Sequence, residues 1–311
     1  MITEIAYKDK EEWLALRKKL GVGGSDAGAV LGFNPYKSAY ELWAEKTGRV
    51  AEFEGNLITD VGSYLEEFVA KLFEKETGKK VRRKNRMIVN DLYPFAFGDV
   101  DRVVVGEHAL LEIKTTNSFP VMRKVKNGEF PEQWYAQVVH YMAVGCFKKA
   151  YLAVLINCRE FKWFELERDE DEIAALMDSE RIFWEGVCND IPPSADGSQS
   201  TSETLSAVFP ESNEETVSLF AYDKALSTYM DLIAQKKSIE ALIDEQANTV
   251  KAFMGNAGRG ESDRYKVTWT SGTRSSFDSK RFAEDHKHMD LTAYYKSSNY
   301  RTFKVTAKAD M

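Results

Sequence analysis

The apolar positions of the first 190 residues repeat mainly at helical spacing. In the segment Leu57 to Thr77, for example, Val61, Leu65, Val69 and Phe73 lie on one side of a helix, as in a helix packed on a core. Proline and glycine mark several ends of these segments. The pattern predicts helices at Lys8 to Leu20, from Ser25 towards Leu31, and at Tyr40 to Gly48, Leu57 to Thr77, Pro131 to Val144 and Glu170 to Val187.

Between these helices the pattern changes to that of strands. From Phe95 the run FAFGDVDRVVV, the turn GEHA and the run LLEIKTT predict a hairpin. Two more strands are predicted, at YLAVLI, which has the length of a buried strand, and at the charged run FKWFELE. This order of elements predicts an α/β fold in which a mixed central β-sheet is flanked by helices.

The composition changes at Ile191, where the run PPSADGSQSTSE is rich in proline, glycine and serine. We therefore predict a first domain at 1–190, a linker at 191–216 and an accessory domain at 217–311. The accessory domain begins with Val217 to Met254, an amphipathic stretch that forms either one long helix or a helical hairpin. A small α+β module is expected after it, with strands at YKVTWTS and YRTFKVT and a helix at Ser279 to His286.

Composition and charge narrow the function classes. No apolar run is long enough to span a bilayer and the amino terminus is too polar for a signal peptide, so an intracellular protein without membrane contact is expected. The three cysteines lack metal-binding spacing and are expected to be reduced and buried. A net charge of −7 argues against a protein that coats nucleic acid over its whole surface. The basic run Lys79, Lys80, Arg82, Arg83, Lys84 and Arg86 is either a local DNA track or a solvated loop.

Candidate chemistry lies in the predicted hairpin. Glu112 and Lys114 are two residues apart on one strand, so their side chains share a face, while Ile113 points to the opposite layer. Asp101 begins the partner strand, close enough to converge with Glu112 on a divalent ion. Asp101, Glu112 and the carbonyl of Ile113 are the oxygen ligands that Mg²⁺ prefers, and Mn²⁺ is expected to substitute. Lys114 would hold or deprotonate the water that attacks a phosphodiester.

Two helices supply further candidates. On the helix at Leu57 to Thr77, Glu66 lies at the flank of the apolar side and Glu67 lies opposite it, so Glu66 is the carboxylate expected to face the interior and to hold a second ion. Gln137 and Tyr141 form an i, i+4 pair that would brace the metal site or the DNA. His140 is either a base or, with more weight, a structural histidine.

Each of these features is common by itself. An E-x-K triplet is usually a surface ion pair, and aspartates beside a turn are usually turn formers. The ordered set of helix glutamate, strand aspartate, E-I-K strand and Q-x-x-x-Y helix is rare by chance. It points to a metal-dependent phosphodiesterase.

The same residues resemble the YqaJ-type viral recombinase family, relatives of phage lambda exonuclease in the PD-(D/E)XK nuclease superfamily. The segments that carry the resemblance span roughly the first 160 residues: GVGGSDAGAVLGFNPYKSAYELWAEKTG, GSYLEEFVAKLFEKETGKKV, GDVDRVV, LLEIKTT and QVVHYMAV. The resemblance implies a restriction-endonuclease-like core and catalytic roles for the residues Glu66, Asp101, Glu112, Lys114, Gln137 and Tyr141. The sequence GDVDR replaces the P-D-G of many relatives, so Asp99 is a secondary metal candidate.

The resemblance also implies how the protein acts. It implies a Mg²⁺-dependent exonuclease that digests linear duplex DNA from 5′ to 3′, as a ring-shaped homotrimer and with a single-strand annealing recombinase as partner. It implies a phage or prophage protein in the bacterial cytoplasm. The loop from Arg17 to Ser25 would contact the 5′ phosphate of a DNA end, with Arg17 or Lys19 as the cation.

Two other functions stay open from the sequence. A structure-selective or nicking endonuclease of the same superfamily would share the metal site. A non-catalytic phage DNA-binding accessory protein would share the fold, although an intact set of catalytic residues speaks against it.

Overall fold

The computed structural model describes residues 1–296 and 300–308. Two compact units, Met1–Phe209 and Pro210–Met311, divide the chain. Among the described residues, no helix has both the length and the apolar character needed to cross a membrane.

The first unit alternates helices and strands. Its helices are α1 (Lys10–Leu20), α2 (Gly24–Val30), α3 (Ala39–Lys46), α4 (Leu57–Thr77), α5 (Phe119–Lys126), α6 (Glu132–Val144), α7 (Glu170–Cys188) and α8 (Gln199–Val208). Its strands are β1 (Ile2–Ala6), β2 (Val22–Gly23), β3 (Val81–Arg82), β4 (Arg86–Asn90), β5 (Tyr93–Gly98), β6 (Arg102–Val104), β7 (Ala109–Thr116), β8 (Lys149–Ile156) and β9 (Glu160–Glu167). The predicted helices are all present, with ends shifted by a few residues at most.

The main sheet has five strands in the order β3-β6-β7-β8-β9, and β7 pairs with β8 in parallel while the other neighbours are antiparallel. Helix α4 packs on one face through Val69 and Phe73, which join Ile113 in one core cluster. Helix α6 packs on the other face, where Met142 joins Leu152. The structure therefore confirms a mixed sheet flanked by helices.

The sequence predicted one strand at the run FAFGDVDRVVV, but the structure divides this run between two strands. Its first part ends at Gly98 in β5, which belongs to a second sheet of order β1-β4-β5-β2, and its second part is β6, the partner of β7. The residues from Asp99 to Asp101 connect the two sheets. Local alternation reveals that a segment is extended but not which neighbour it pairs with, so the change of sheet left no signal in the sequence.

The predicted linker at 191–216 contains α8. Ser198 begins this helix by accepting a 3.1 Å hydrogen bond from the backbone N–H of Thr201. The side of α8 that is buried includes Thr201 and Thr204, and the helix packs on α3. Because threonine is polar, the buried side has no continuous apolar stripe, and the segment resembled a linker. Strand β1 and helix α5 were likewise not predicted.

In the second unit, Asp223–Met254 forms one continuous helix, α9, so the single-helix alternative is the right one. It follows a 3-10 turn at Phe220–Tyr222. Strands β10 (Arg259–Glu261) and β11 (Lys266–Thr268) form an antiparallel pair, and helix α10 (Ser279–Asp285) precedes a 3-10 turn at Thr292–Tyr294. The segment YRTFKVT, predicted as a strand, is not in a strand over residues 300–306. Alternation alone does not make a strand when no neighbouring strand pairs with it.

The cysteines differ from expectation. Cys158 and Cys188 are exposed, and Cys146 is half-buried; all three are free thiols. Cys158 occupies a positive-φ turn between two strands of the main sheet and Cys188 ends a helix, so neither position points into the core.

Candidate active site

Glu112 and Lys114 meet on one face of β7, as the strand period predicted. Nζ of Lys114 lies 2.7 Å from Oε1 of Glu112. The intervening Ile113 packs in the opposite core layer with helix α4. Glu112 is buried, with 2% of its surface exposed, so this ion pair lies at the base of the site rather than on the surface.

Helix α6 extends this pair into a network. Nζ of Lys114 donates a second hydrogen bond, 2.8 Å long, to Oε1 of Gln137. The amide of Gln137 donates in turn to the hydroxyl of Tyr141, at 3.1 Å. The i, i+4 pair thus holds the end of the lysine side chain, and Tyr141 is itself buried.

Asp101 lies where the two sheets join. Its Oδ2 accepts a 2.8 Å hydrogen bond from the backbone N–H of Ile113. This bond ties the connection after β5 to the strand that carries Glu112. The backbone of Ile113 therefore takes part in the site through its amide, and metal binding by its carbonyl stays a prediction.

Burial controls the electrostatics of the two carboxylates. It raises the pKa of Glu112 to about 8, and the charge of Asp101 acts in the same direction, while Lys114 opposes both. Burial also raises the pKa of Asp101, against the favourable charge of Lys114. The positive charge of Lys114 is therefore too small to offset the cost of burying the two negatively charged carboxylates.

Glu66 is less exposed than Glu67, which is the order that helical phasing predicted. The side chain of Glu66 is 31% exposed and that of Glu67 is 53% exposed. Arg102 contacts both, with NH1 at 3.6 Å from Glu66 and NH2 at 3.3 Å from Glu67. Burial and the charge of Asp101 raise the pKa of Glu66. Glu66 is thus close enough to Asp101 for the two charges to interact, while its carboxylate pairs with Arg102.

A divalent cation fits one part of this arrangement. Oε2 of Glu112 is buried and has no hydrogen-bond partner among the described residues, which is costly unless a cation or water satisfies it. Together with the raised pKa of both carboxylates, this oxygen fits a cation between Asp101 and Glu112. Among the residues that the structure describes, no three His, Cys, Asp or Glu side chains already converge as a metal site. Glu66, the remaining predicted side-chain ligand, is paired with Arg102.

The carboxylate of Asp99 is already engaged by helix α1 and the segment before it. Nε1 of Trp13 donates to its Oδ2 at 2.6 Å, and the hydroxyl of Tyr7 donates to its Oδ1 at 3.4 Å. These bonds attach the amino-terminal segment to the connection between the sheets. They leave Asp101 as the better metal candidate of the two aspartates.

Arg17 and Ser25, both predicted as phosphate contacts, are brought together. NH2 of Arg17 donates to Oγ of Ser25 at 3.2 Å, and the guanidinium lies 4.7 Å from the centre of the Trp13 ring. Lys19 is exposed on α1. Of the two predicted cations, Arg17 is the one in contact with the glycine-rich loop.

The buried Asp26 stabilises the glycine-rich segment around Gly23. Asp26 accepts from Nζ of Lys46 at 2.9 Å and from the backbone N–H of Gly23 at 3.0 Å. Burial alone raises the pKa of Asp26, but the charges of Lys46 and Arg17 outweigh it and lower the pKa to about 2. Asp26 is therefore ionised, and its role is to hold the loop and its cations.

Two glycines of this segment allow its backbone to approach neighbouring residues closely. Gly21 has φ +107°, and a Cβ there would lie 2.0 Å from the carbonyl oxygen of Phe95. A Cβ on Gly24 would lie 2.4 Å from the ring of Tyr141. Gly24, the first residue of α2 and the neighbour of Ser25, is thus in direct contact with helix α6, whose Gln137 holds Lys114.

His140 is the structural residue that the sequence favoured. Its Nε2 donates to the carbonyl oxygen of Phe97 at 2.8 Å, and its Nδ1 lies 2.8 Å from Oε1 of Glu180 on α7. All of these atoms are buried. Sequence reasoning missed Glu180, because the partner of a buried histidine on a distant helix has no local signature.

The basic run after α4 is largely paired with carboxylates. Lys79 pairs with Glu107, Lys80 with Glu74, Arg83 with Glu67 and Lys84 with Glu4. This pairing favours the solvated-loop interpretation over a free DNA track.

Comparison with known proteins places this chain among relatives of one family and one fold. The family model of the YqaJ-like viral recombinase domain matches residues 12–148. The uncharacterized protein YqaJ of Bacillus subtilis (strain 168) is 34% identical over 302 residues, covering 95% of this chain and 94% of that protein. The crystal structure of the alkaline exonuclease LHK-Exo from Laribacter hongkongensis matches with a TM-score of 0.51 and 21% identity, over 58% of this chain and 94% of that chain. The same exonuclease in complex with dAMP matches with a TM-score of 0.50.

Proposed function

The chain belongs to the YqaJ-like viral recombinase family, and on this premise we propose that it is a Mg²⁺-dependent exonuclease that hydrolyses linear double-stranded DNA from its ends. Its fold is also that of an alkaline exonuclease over 58% of the chain. Mn²⁺ is expected to replace Mg²⁺. The structural relative LHK-Exo forms a complex with dAMP, a deoxynucleotide, which agrees with a DNA substrate for this chain as well.

The observation that carries the proposal is the position of Lys114. Its Nζ is held between Glu112 and Gln137, at 2.7 and 2.8 Å, and the charge of Lys114 acts on the half-buried Asp101. An ordinary surface ion pair has neither a buried carboxylate nor a second side chain that orients the lysine. A lysine held beside one buried and one half-buried carboxylate is suited to phosphodiester hydrolysis, in which a water must be positioned next to a cation site.

Asp101, Glu112 and the carbonyl of Ile113 would hold the cation, and Glu66 would join them when Arg102 releases it. When bound, Mg²⁺ supplies stabilisation of the negative charge that develops on the phosphate oxygens.

The protein's own groups do the rest. Lys114 would hold the attacking water in line with the scissile phosphorus, and Gln137 limits the directions in which Nζ can point. Tyr141 fixes the amide of Gln137 so that its oxygen faces the lysine. The burial of Glu112 keeps bulk water from competing for the cation.

Arg17 and Ser25 would bind the 5′ phosphate of the DNA end, with Lys19 as a more distant cation. An arginine fork and a hydroxyl are a common phosphate pair. Because Ser25 follows the glycine that contacts Tyr141, this end site lies next to the hydrolytic site. Digestion from 5′ to 3′ follows if the anchored end is the 5′ end.

The biological role would be to prepare DNA for recombination. Digestion of one strand exposes single-stranded DNA, which an annealing recombinase would take up as partner. A ring-shaped homotrimer around the duplex would keep the enzyme on its substrate, as the family resemblance implies.

The test compares linear with closed-circular duplex DNA, with and without Mg²⁺. We expect digestion of the linear form alone and only with the metal. Blocking one 5′ end or one 3′ end with phosphorothioate linkages then gives the polarity. Nicking of the circle would identify an endonuclease, and no cleavage of either form would refute the nuclease proposal.

The control is Lys114→Ala. Since lysine is not a metal ligand, this variant should lose cleavage while DNA and Mg²⁺ still bind. If the variant lost Mg²⁺ affinity, the assigned role of Lys114 would be wrong.

A further inference from the structure

Helix α9 carries a row of apolar side chains whose spacing is that of a coiled coil. Starting at Tyr229, the row advances by three and four residues in turn and ends at Phe253. Its apolar members are Tyr229, Leu232, Ile239, Ile243, Val250 and Phe253, which we call the α9 seam. A repeat of this kind packs one helix against another along its length. From Tyr229 to Phe253 the row is about 36 Å long.

The seam is uncovered within the part of the chain that the structure describes. Ile243 is 61% exposed and Phe253 is 94% exposed, and Leu232, Ile239 and Val250 are exposed as well. Phe303 packs edge-on against Tyr229, with ring centres 5.6 Å apart, and still leaves Tyr229 38% exposed. Most of the stability of a helix in a protein comes from packing its apolar side. A helix of 32 residues with this side bare calls for a packing partner.

Two polar residues interrupt the row, and their positions are informative. Lys236 and Gln246 occupy seam positions, five residues on either side of Ala241. If a second α9 runs antiparallel with its centre at the same residue, Lys236 of one copy lies opposite Gln246 of the other. In the same register Tyr229 lies opposite Phe253. The pairs Leu232 with Val250 and Ile239 with Ile243 follow, so every apolar position meets an apolar one.

We propose that α9 of one copy pairs with α9 of a second copy in this antiparallel register. A parallel pair would place the two Lys236 ammonium groups against each other in the seam, which is unfavourable. The antiparallel pair gives each lysine a neutral amide as neighbour. A buried polar position of this kind selects the register and direction of a coiled coil.

The charge of α9 argues against DNA as the occupant of the seam. Its lysines are matched by acidic residues such as Asp231, Glu240, Asp244 and Glu245, and Lys236 itself pairs with Glu240 at 3.7 Å. A DNA-binding helix needs a surplus of cations where the phosphates run.

Cysteine cross-linking of the full chain tests the register. The parent would carry Cys158→Ser and Cys188→Ser, since both thiols are exposed. Leu232→Cys and Val250→Cys are then added singly and together, and a short bis-maleimide reagent is applied. The two cysteines are about 27 Å apart on one helix, so the reagent cannot join them within a chain. We expect dimers, twice 35.4 kDa on a denaturing gel, from the double variant and few from either single variant or the parent.

This readout does not depend on any other self-association of the protein. Dimers formed as readily by either single variant would indicate a parallel or unspecific contact and overturn the proposal. An absence of dimers from the double variant would overturn it as well.

The mass of the assembly in solution gives a second test. Ile239→Asp places a charge in the seam, and we expect it to halve the mass found by light scattering. Ala241→Asp is the matched control, because Ala241 is exposed and, two positions after Ile239, lies on the side of the helix opposite the seam. Circular dichroism checks that both variants are folded. Equal masses for the wild type and Ile239→Asp, or a monomeric wild type, would refute the pairing.

Discussion

Lys114 and Gln137 are joined by a 2.8 Å hydrogen bond between Nζ and Oε1, although 23 positions separate them in the chain. The bond connects the central strand β7 to helix α6. It means that the orientation of the candidate catalytic lysine depends on a residue of another element.

Gln137→Ala should slow DNA cleavage about 10- to 100-fold, the usual effect of removing a side chain that orients a reacting group. The loss should appear in kcat, because Gln137 holds Lys114 rather than the substrate. Gln137→Glu keeps an acceptor for Lys114 and should recover part of the rate. Steady-state rates on one linear duplex measure both. A change confined to KM would assign Gln137 to DNA binding instead.

Arg17→Ala should lower the preference for 5′-phosphorylated over unphosphorylated ends about tenfold. A charge-assisted contact to phosphate contributes about 1.4 kcal/mol or more. Arg17→Lys should restore only part of it, because lysine lacks the planar fork. Digestion of phosphorylated and unphosphorylated duplexes gives the ratio. Lys19→Ala is the comparison and should lower the ratio less than Arg17→Ala does, because Lys19 is exposed and is the more distant cation. An equal slowing on both ends would contradict the assignment of Arg17.

Mg²⁺ affinity should rise with pH up to about pH 8. Without the metal the pKa of Glu112 is about 8, so at lower pH the cation must displace a proton from this carboxyl. One displaced proton weakens binding about tenfold for each pH unit below the pKa. Calorimetry at pH 6.5, 7.5 and 8.5 measures the effect. Glu112→Gln should remove both the strong binding and the pH dependence, and a wild-type affinity independent of pH would contradict the role of Glu112.

Stability should fall with rising pH because of His140. Its two nitrogens face the acceptors Glu180 and Phe97, and although burial alone lowers the pKa of His140, Glu180 raises it above the usual 6.5. The charge of Asp26 acts in the same direction as that of Glu180. The folded protein therefore binds this proton more tightly than the unfolded chain. The resulting stability is complete below about pH 6.5 and is lost as pH rises through the raised pKa.

Glu180→Gln tests this assignment. At pH 6 the variant should be less stable than the wild type by about 3–5 kcal/mol. This is the usual cost of removing one partner of a buried ion pair and leaving the other charge without its counterion. The difference should shrink towards pH 9. Urea unfolding at pH 6, 7.5 and 9 gives the free energies, and a difference that stays constant with pH would count against a charged His140.

The parts of the site that follow from periodicity were predictable. Glu112 and Lys114 share a face because a strand repeats every two residues, and Glu66 is less exposed than Glu67 because a helix repeats every 3.6. The Q-x-x-x-Y pair was identified by the same reasoning. In each case the spacing lies within a single element.

What the sequence could not supply are the partners that lie on other elements. Arg102 engages Glu66, Trp13 engages Asp99, and Glu180 engages His140. These contacts form only when separate elements pack together, so no local pattern encodes them. The same limit explains why the extended run from Phe95 was predicted as one strand although it serves two sheets.

The contact between Gly24 and Tyr141 has a consequence for how digestion would proceed. Because the Tyr141 ring touches the backbone at the start of α2, this end of the helix has no space to slide, and the distance from Ser25 to Lys114 is set by the scaffold. An enzyme that anchors a phosphate at one point and cuts at another, with a rigid distance between them, measures its substrate. Under the proposed function each cut would then release a product of constant length, and enlarging position 24 would alter this length as well as the rate.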